Sequence, residues 1–505
     1  MKKHIILIFL FCTLILGSCK KFLEESSQNL LKPTTISELA ETLLGEGFSL
    51  NEPANVPFHT YIDLITDDVE ANYLNDPLQI SSLNRWSPGF LWKKTMFEEM
   101  PVLGASGTDS YTVYYTKIKA CNVVLDYLDK VSGTVAEKNK VKGEALFLRG
   151  FYYFNLVNLY GKAYSANGAN PNADLGVPLV LTSNVTRDLI KRATVAQVYA
   201  QVEQDLKTSY ELLKVAASSN IYHPGSGAAC LLLSRVYLYE KQWDKSIDFA
   251  TKALATKSTL KDLNEVPALP ASGFTEASPP YQMSNALVSP EVYWGYGDLK
   301  EYSSAPLGSG VPGVLFSKGA FTVSPSLGDS YEVDDRRNVL YFNYAGEYNP
   351  STGVLNWYKY YGFKYGSPTA ITNNSKALRV SEAYLNRAEA NIQKAIAGNG
   401  QGITDALADL NLLRSRRFTT AKFQAVNITD AAALFEFYKA ERRRELCFED
   451  QRWFDLRRWN LPVSHTIQLS ASGTQSKTIS PGDSEFTLQI PQTAIRANAE
   501  LVQNP

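Results

Sequence analysis

Cysteine and histidine are scarce in this sequence, which has five cysteines and four histidines among its 505 residues. It contains no Cys-x-x-Cys, His-x-x-x-His or His-Glu-x-x-His pattern, so we predict no transition-metal site and no cofactor. A structural calcium ion stays open, because calcium requires only clustered oxygen atoms. Cys121, Cys230 and Cys447 lie in apolar stretches, which predicts reduced, buried side chains rather than disulfides.

Net charge and long apolar runs are missing as well. Lys and Arg total 50, against 51 for Asp and Glu, so no overall field favours nucleic acid as a partner. Beyond the signal-like start of the chain, no apolar run approaches the ~18 residues that predict a membrane-spanning helix.

Catalytic motifs are also absent: we find no Gly-x-Ser-x-Gly, no phosphate loop and no Gly-x-Gly-x-x-Gly opening a helix. A glycosidase needs two carboxylates about 5–10 Å apart. The adjacent acids Asp67-Asp68 and Asp334-Asp335 are poor candidates, because neighbours in sequence seldom face one substrate together. We therefore predict that the protein is not an enzyme.

The start of the chain has the features of an export signal. A basic segment, Met1–His4, precedes the apolar run Ile5–Leu16, which is too short to span a bilayer. The following Leu16-Gly17-Ser18-Cys19 resembles a bacterial lipobox. We predict that residues 1–18 are a lipoprotein signal peptide and that lipid on Cys19 holds the protein on a membrane. An ordinary signal with a chance cysteine is the alternative.

Small residues recur at the spacing of paired helices. Ser234, Ser246 and Ala253 are separated by 12 and 7 residues, as at the helix contacts of a tetratricopeptide (TPR) unit. Similar pairs are predicted within about 111–255 and 379–460. The predicted fold is mostly α, with TPR-like helix pairs forming a platform.

A loop-rich aromatic insertion of about 261–370 interrupts these pairs and holds 22 of the chain's 54 glycines and prolines. Long loops are usually functional or disordered, and this many aromatics argues against disorder. Short strands are expected at 291–296 and 357–364.

Aromatic and polar residues in these loops suit sugar recognition, because pyranose faces lie on Trp or Tyr rings while hydroxyls need polar partners. For any single ring, ordinary loop packing is the competing interpretation. The predicted ligand-binding residues are Asn72, Arg85, Trp86, Trp294, Tyr296, Asp298, Trp357 and Tyr358.

The stretch Glu441–Asn460 is the most charged in the chain. Continued from Ala431 as one helix, it would place Glu441, Glu445 and Arg452 on one stripe together with aromatic residues. Charges in line with aromatics predict a partly buried structural seam of ion pairs. Acids interleaved with arginines stay ionised, which disfavours catalysis here.

Together with this stretch, three other segments resemble the SusD/RagB family of surface lipoproteins, which capture glycans beside a TonB-dependent outer-membrane transporter. They are Gly143–Arg149 with Leu159-Tyr-Gly161, then Glu382–Ala390, and the ending Ile490-Pro-Gln492 with Gln503-Asn-Pro505. The resemblance covers about residue 110 to the last residue.

The resemblance implies a single SusD/RagB-like domain over residues 19–505. It also implies an outer-membrane lipoprotein that faces the cell exterior, binds oligo- or polysaccharide and delivers it to a transporter of the SusC type. A lid that captures peptides or other nutrients, and a TPR-type scaffold that binds only protein, are alternatives that the sequence leaves open.

Overall fold

The computed structural model describes residues 33–49, 58–184, 188–215, 220–266, 283, 289–297, 319–349, 351–361 and 376–505, with the backbone alone for 343–349 and 354–361. The predicted signal peptide, Cys19, Asp298 and much of the predicted insertion lie outside these residues. Within the described ranges, no helix is long and apolar enough to cross a membrane.

Helices account for most of the described chain. In order they are α1 (Ile36–Thr42), α2 (Pro77–Phe90), α3 (Met96–Val102), α4 (Ser110–Tyr127), α5 (Val135–Tyr160), α6 (Val195–Leu213), α7 (Ser226–Tyr239), α8 (Trp243–Thr256), α9 (Pro325–Gly328), α10 (Arg337–Leu340), α11 (Val380–Ile396), α12 (Gln401–Ser415), α13 (Ala431–Leu446), α14 (Arg452–Arg458) and α15 (Gln492–Ala497). The predicted mostly helical fold class is confirmed.

Successive helices pack against each other from α4 to α8, and α8 then packs on α11, which also contacts α12 and α13. A pair of amphipathic helices cannot bury both of its faces alone, so stacking of neighbours supplies the common core. The long helix α5 lies within this stack, and from Gly143 to Tyr160 every one of its residues is buried.

Small side chains bring α7 and α8 together. Ser234 and Ser246 are fully buried, and each hydroxyl donates to the other residue's carbonyl, at 3.0 Å from Ser234 and 2.9 Å from Ser246. Between α5 and α6, a Cβ on Gly143 would lie 2.8 Å from Leu213. The close approach of these helices therefore depends on the small residues.

Capping residues explain where two of the central helices begin. Thr134 and Glu137 form a capping box at the start of α5, and Thr194 and Gln197 form one at the start of α6. Each box satisfies backbone N–H groups that the first turn of a helix leaves without partners.

The strands form small antiparallel pairs. They are β1 (Val69–Ala71), β2 (Val292–Tyr296), β3 (Phe321–Val323), β4 (Phe342–Asn349), β5 (Val354–Tyr361), β6 (Lys376–Arg379), β7 (Val463–Ser470) and β8 (Gly473–Ile479). β1 pairs with β3, β2 with β6, β4 with β5 and β7 with β8. The β1–β3 and β2–β6 pairs join the predicted insertion to the rest of the protein, whereas β4 and β5 both lie within it.

The prediction of one helix through Glu441–Trp459 is wrong. α13 ends at Leu446 and α14 begins at Arg452, with positive φ angles at Phe448 and Asp450 in the turn between them. Contacts with β6 hold this turn: Lys376 Nζ donates to the Phe448 carbonyl at 2.8 Å and lies 2.7 Å from Asp450 Oδ1. The stripe that a continuous helix would have made does not form.

Candidate functional site

A buried network of charges surrounds Glu445 on α13. The Glu445 carboxylate accepts hydrogen bonds from Arg417 at 2.9 Å, Arg379 at 3.2 Å and Arg337 at 3.1 Å, and all four side chains have no solvent exposure. Burial opposes ionisation of Glu445, but the positive charges of Arg417 and Arg379 outweigh it and hold its pKa well below the usual range. This acid stays ionised and acts as a structural counter-charge.

Glu441, one turn earlier, joins the same network. It is fully buried and pairs with Arg337 at 2.8 Å, Arg414 at 3.1 Å and Arg444 at 2.7 Å. Burial again opposes its ionisation, and the charges of Arg337 and Arg444 lower its pKa. A carboxylate held this way by three guanidinium groups is unsuited to exchange protons near neutral pH.

Asp67 and Asp68, the adjacent acids that the sequence made poor catalytic candidates, are bound by arginines. Arg452 donates two hydrogen bonds to Asp67, both at 2.7 Å, and Arg443 donates to Asp68 at 2.6 Å. Such charge-assisted, forked contacts fix both partners. Asp335, from the second adjacent pair, likewise binds Arg337 at 2.7 Å.

Three of the aromatic residues predicted to bind ligand are core residues instead. Trp86 is 3% exposed, Trp294 1% and Tyr296 5%, so none presents a ring to a ligand on the surface. The Trp294 ring contacts Phe147 on α5 edge to face at 4.9 Å, and its Nε1 donates to the Tyr222 carbonyl at 3.0 Å. Every residue of β2 is buried, and its sequence, Val-Tyr-Trp-Gly-Tyr, has no polar alternation that would have predicted an exposed face.

Asn72 and Arg85, two of the polar residues predicted for the same site, are half-buried. Asn72 follows β1 and donates through Nδ2 to the Gly319 carbonyl at 3.2 Å and to Thr322 Oγ1 at 2.8 Å. It thus joins β1 to β3. Arg85 lies on α2, and its buried Nε has no hydrogen-bond partner among the described residues.

Trp357 and Tyr358 lie on β5, paired with Gly346 and Ala345 of β4. Their side chains are outside the described structure, so their part in a ligand site stays a prediction. β5 lies against β3, which brings these residues to the same group of strands as Asn72. Trp294 and Tyr296 belong to the separate β2–β6 pair.

A pocket of about 600 Å³ opens at the C-terminal end of α5. Four segments far apart in sequence form most of it: the loop 162–175, the end of α14 with Asn460, the loop 481–487 and residues 503–505. Its wall mixes apolar groups such as Leu175 and Phe486 with amides such as Asn167, Asn460 and Gln503. Convergent polar groups on an apolar lining are typical of small-molecule sites.

The final residues close one side of this pocket through specific hydrogen bonds. Gln503 and Ile490 exchange two, at 2.8 and 2.7 Å. Asn504 Nδ2 donates to the Tyr160 carbonyl at 2.9 Å and to the Leu488 carbonyl at 2.7 Å. The chain ending thereby satisfies a carbonyl that the last turn of α5 leaves without a partner.

Two arginines in the pocket wall also cap α5. Arg192 donates to the Tyr160 carbonyl at 3.0 Å, and Arg457 donates to the carbonyls of Asn158 and Gly161. Burial lowers the pKa of both guanidinium groups, that of Arg457 to about 10. Sequence reasoning missed this site, because its segments meet only in the folded chain and its arginines bind backbone carbonyls, which leave no pattern in sequence.

No group of His, Cys, Asp and Glu side chains in the described ranges is arranged to hold a metal ion. Cys121, Cys230 and Cys447 are buried, and none of them forms a disulfide within the described residues.

Comparison with known proteins shows which family this architecture resembles. A SusD-like family model described as starch-binding and associating with the outer membrane matches residues 21–238, and the SusD family model matches residues 320–505. The SusD-like protein P25 of Formosa agariphila is 22% identical, with 91% of this chain and 90% of that protein covered.

Solved structures share the fold. A SusD superfamily protein from Bacteroides thetaiotaomicron superposes with a TM-score of 0.68 at 24% identity, covering 94% of this chain and 100% of that one. A putative sugar binding protein from Bacteroides vulgatus gives 0.69 at 24% identity, covering 94% and 99%. The helical scaffold is that of the SusD superfamily. The chain belongs to the SusD/RagB family.

Proposed function

We propose that this protein is a non-enzymatic lipoprotein of the cell surface that binds oligo- or polysaccharide and delivers it to a partner TonB-dependent transporter of the SusC type. The observation that carries the proposal is the match of two SusD family models to the two ends of the chain, the first of them described as starch-binding and associating with the outer membrane.

The lipobox-like Leu16–Cys19 supports attachment through lipid on Cys19. In this proposal the lipid holds the protein on the outer membrane, facing the exterior, where it meets polymers too large to enter the cell. Transfer to the transporter follows capture.

A binding rather than catalytic role has support from the adjacent acids Asp67 and Asp68. Arg452 and Arg443 bind them, and Asp68 is buried, whereas a glycosidase needs two carboxyl groups that reach the substrate. The pairing of these acids favours capture without cleavage.

Two surfaces are candidates for the sugar. The pocket at the end of α5 offers amide groups for hydroxyls and apolar side chains for the ring faces. The β4–β5 pair carries Trp357 and Tyr358, whose rings are the predicted platform. Both surfaces can be tested in one experiment, by substituting Trp357 on β5 and Ala173 in the pocket lining. Neither substitution removes a charged residue of the ion-pair network around Glu441 and Glu445.

Native affinity electrophoresis tests the proposal. Protein from Lys20 onward, which keeps every described element, is run through gels containing a panel of soluble plant, fungal and host polysaccharides. Retardation by one polymer, lost in Trp357→Ala or in Ala173→Trp, establishes glycan capture and locates the site. Ala432→Trp, at an exposed position on α13 outside the pocket lining, is the matched control and should run as the parent does.

The absence of retardation by every polymer, combined with the absence of binding to short oligosaccharides in solution, would contradict glycan capture. Recovery of the transporter together with a bound peptide or other nutrient would then favour a lid for a different nutrient. Recovery of the transporter without a nutrient would favour a scaffold that binds only protein.

A further inference from the structure

The buried arginines in the described part of the chain are paired with carboxylates, with two exceptions. Ten have a carboxylate within ion-pair distance: Arg149, Arg235, Arg337, Arg379, Arg414, Arg417, Arg442, Arg444, Arg452 and Arg458. Among the buried arginines that the structure describes, only Arg192 and Arg457 have no such partner. Both exceptions line the same pocket.

Backbone carbonyls are the partners of these two side chains. Arg192 donates to the carbonyls of Gly176 at 2.7 Å, Val502 at 2.8 Å and Leu175 at 2.9 Å, besides its bond to Tyr160. A carbonyl and the C-terminal end of a helix carry partial negative charge and offset part of a cation's desolvation. They do not supply the full counter-charge that the other buried arginines have.

Arg457 keeps an unused donor. Its Nε is buried and has no hydrogen-bond acceptor in the described structure. The residue as a whole is only 4% exposed. A buried N–H group without an acceptor carries a free-energy cost, and that cost is higher for a charged group in a medium of low dielectric constant. An acceptor oxygen that reached this N–H group would remove that cost.

The two acidic side chains of the lining have partners other than Arg192 and Arg457. Asp174 is neutralised by Lys162 at 3.1 Å and also accepts from the Asn170 N–H at 2.6 Å. Asp483 accepts from the Ser480 N–H at 2.7 Å. Lys162, Arg192 and Arg457 therefore face two acidic side chains, both of which already have other partners.

We propose that this pocket binds one acidic sugar unit of the glycan, with Arg192 and Arg457 as the counter-charges of its negatively charged oxygen group. The group is an oxyanion, supplied either by the carboxylate of a uronic acid or by a sulfate ester. The amides of Asn167, Asn460 and Gln503 are the partners of the sugar hydroxyls. This proposal rests on the proposed function and names the class of sugar that the protein selects.

The size of the pocket agrees with one sugar unit and its neighbour. About 600 Å³ lies within the roughly 300–1,000 Å³ of small-molecule sites. An anion that enters the pocket gains attraction to two buried cations, which solvent screens far less than it screens surface charges. The pocket should therefore prefer an acidic sugar over the neutral sugar of the same shape.

Isothermal titration calorimetry on protein from Lys20 onward tests this preference. The probes are glucuronic and galacturonic acid, the neutral sugars glucose and galactose, and the 6-sulfate esters of the neutral sugars. We expect at least one acidic probe to bind about tenfold or more tightly than its neutral counterpart, as for a charge-assisted hydrogen bond. Uronic acids and sulfate esters tested separately show which oxyanion is preferred.

Variants locate the binding without removing the arginines that cap α5. Ala173→Trp places a large ring in the pocket from an exposed loop position and should abolish binding of the acidic probe. Lys162→Gln, at a side chain that is 54% exposed, should weaken it several-fold at low salt. Ala432→Trp should bind as the parent does, and circular dichroism should show that all three variants are folded.

Two outcomes overturn the inference. One is equal affinity for acidic and neutral probes, and the other is binding of the acidic probe that Ala173→Trp leaves unchanged. If polysaccharides are captured in gels while no acidic probe binds in the pocket, the proposed function stands and this inference falls. If neither polysaccharides nor any probe bind, both fall.

Discussion

Arg452 binds Asp67 through two hydrogen bonds of 2.7 Å, although 385 residues separate them in the chain. Burial of Asp67 opposes its ionisation, but the hydrogen bonds and charge of Arg452 prevail and lower its pKa. The adjacent pair Arg443 and Asp68 makes a second contact of 2.6 Å between the same two regions. Both contacts fasten the turn region between α13 and α14 to the segment before β1.

Replacement of Arg452 by Ala should lower the free energy of unfolding by about 3 kcal/mol, because it leaves Asp67 without its main counter-charge. Chemical denaturation measures the change. The matched test is a double-mutant cycle with Asp67→Ala: the two losses should overlap by about 1–3 kcal/mol. Strict additivity would mean that the pair contributes nothing to stability.

Replacement of Glu445 by Ala should cost about 3 kcal/mol or more, because Arg417, Arg379 and Arg337 would all lose a shared buried partner. Thermal and urea unfolding would detect this. Glu436→Ala on the same helix is the control, since Glu436 is 71% exposed and pairs only with Lys439 among the described residues. An unchanged melting temperature in Glu445→Ala would contradict the structural role of the network.

Replacement of Ser246 by Leu should lower the free energy of unfolding by about 1–3 kcal/mol through overpacking, because α7 and α8 meet closely at Ser234 and Ser246. Ser246→Ala keeps the close contact and loses one hydrogen bond, so it should cost about 1 kcal/mol. Urea unfolding of both variants gives the comparison. A Leu variant as stable as the Ala variant would show that the two helices have room to separate.

Glu240, just after α7, should make stability depend on pH. Burial and the nearby charge of Glu203 raise its pKa to about 8, so the folded protein holds a proton that the unfolded chain releases above a pKa of 4.5. The contribution of this group to stability is therefore full at low pH and is lost as pH rises towards 8.

The variant Glu240→Gln, which stays neutral, should accordingly gain stability relative to the parent as pH rises from about 4.5 to about 8. Urea unfolding of both proteins across this range measures the difference. A difference that does not change with pH would show that Glu240 ionises in the folded protein as it does in the unfolded chain.

Replacement of Cys19 by Ala should move the protein from the membrane fraction to the soluble fraction, because the proposed lipid attachment would be lost. Cell fractionation and immunoblotting provide the readout. Cys12→Ala, within the proposed signal peptide, is the control and should leave the protein on the membrane. Retention of the Cys19 variant on the membrane would contradict the anchor.

The helix pairs were predictable because their signal is local. The spacing of Ser234, Ser246 and Ala253 follows from how closely two adjacent helices pack, and the turn at Lys241-Gln242 lies between α7 and α8. The pairing of acids with arginines in Glu441–Asn460 was likewise readable from their interleaving. The identity of the partners was not: Glu445 binds Arg337 and Arg379, which lie outside that stretch.

The break after Leu446 could not be predicted from its own residues. The segment Cys447–Gln451 contains neither glycine nor proline, and its positive φ angles at Phe448 and Asp450 are held by Lys376 on a distant strand. Tertiary contacts override local helix preference here.

The ligand site was hardest to predict, since aromatic content alone does not separate a sugar platform from a core. Trp294 packs on α5, while Trp357 lies on a different pair of strands. The aromatic content of the sequence gives the same prediction for both residues. The pocket at the end of α5 combines segments about 300 residues apart, as in the contact between Asn167 and Asn460.

The bonds from Arg452 and Arg443 to Asp67 and Asp68 also require distant parts of the chain to meet during folding. The segment before β1 binds residues some 380 positions later, and closing a loop of that length costs more chain entropy than closing the short turns between neighbouring helices. We expect the local helix pairs from α4 to α8 to form before these arginine contacts. We therefore expect folding of this chain to include a late step in which segments far apart in sequence meet.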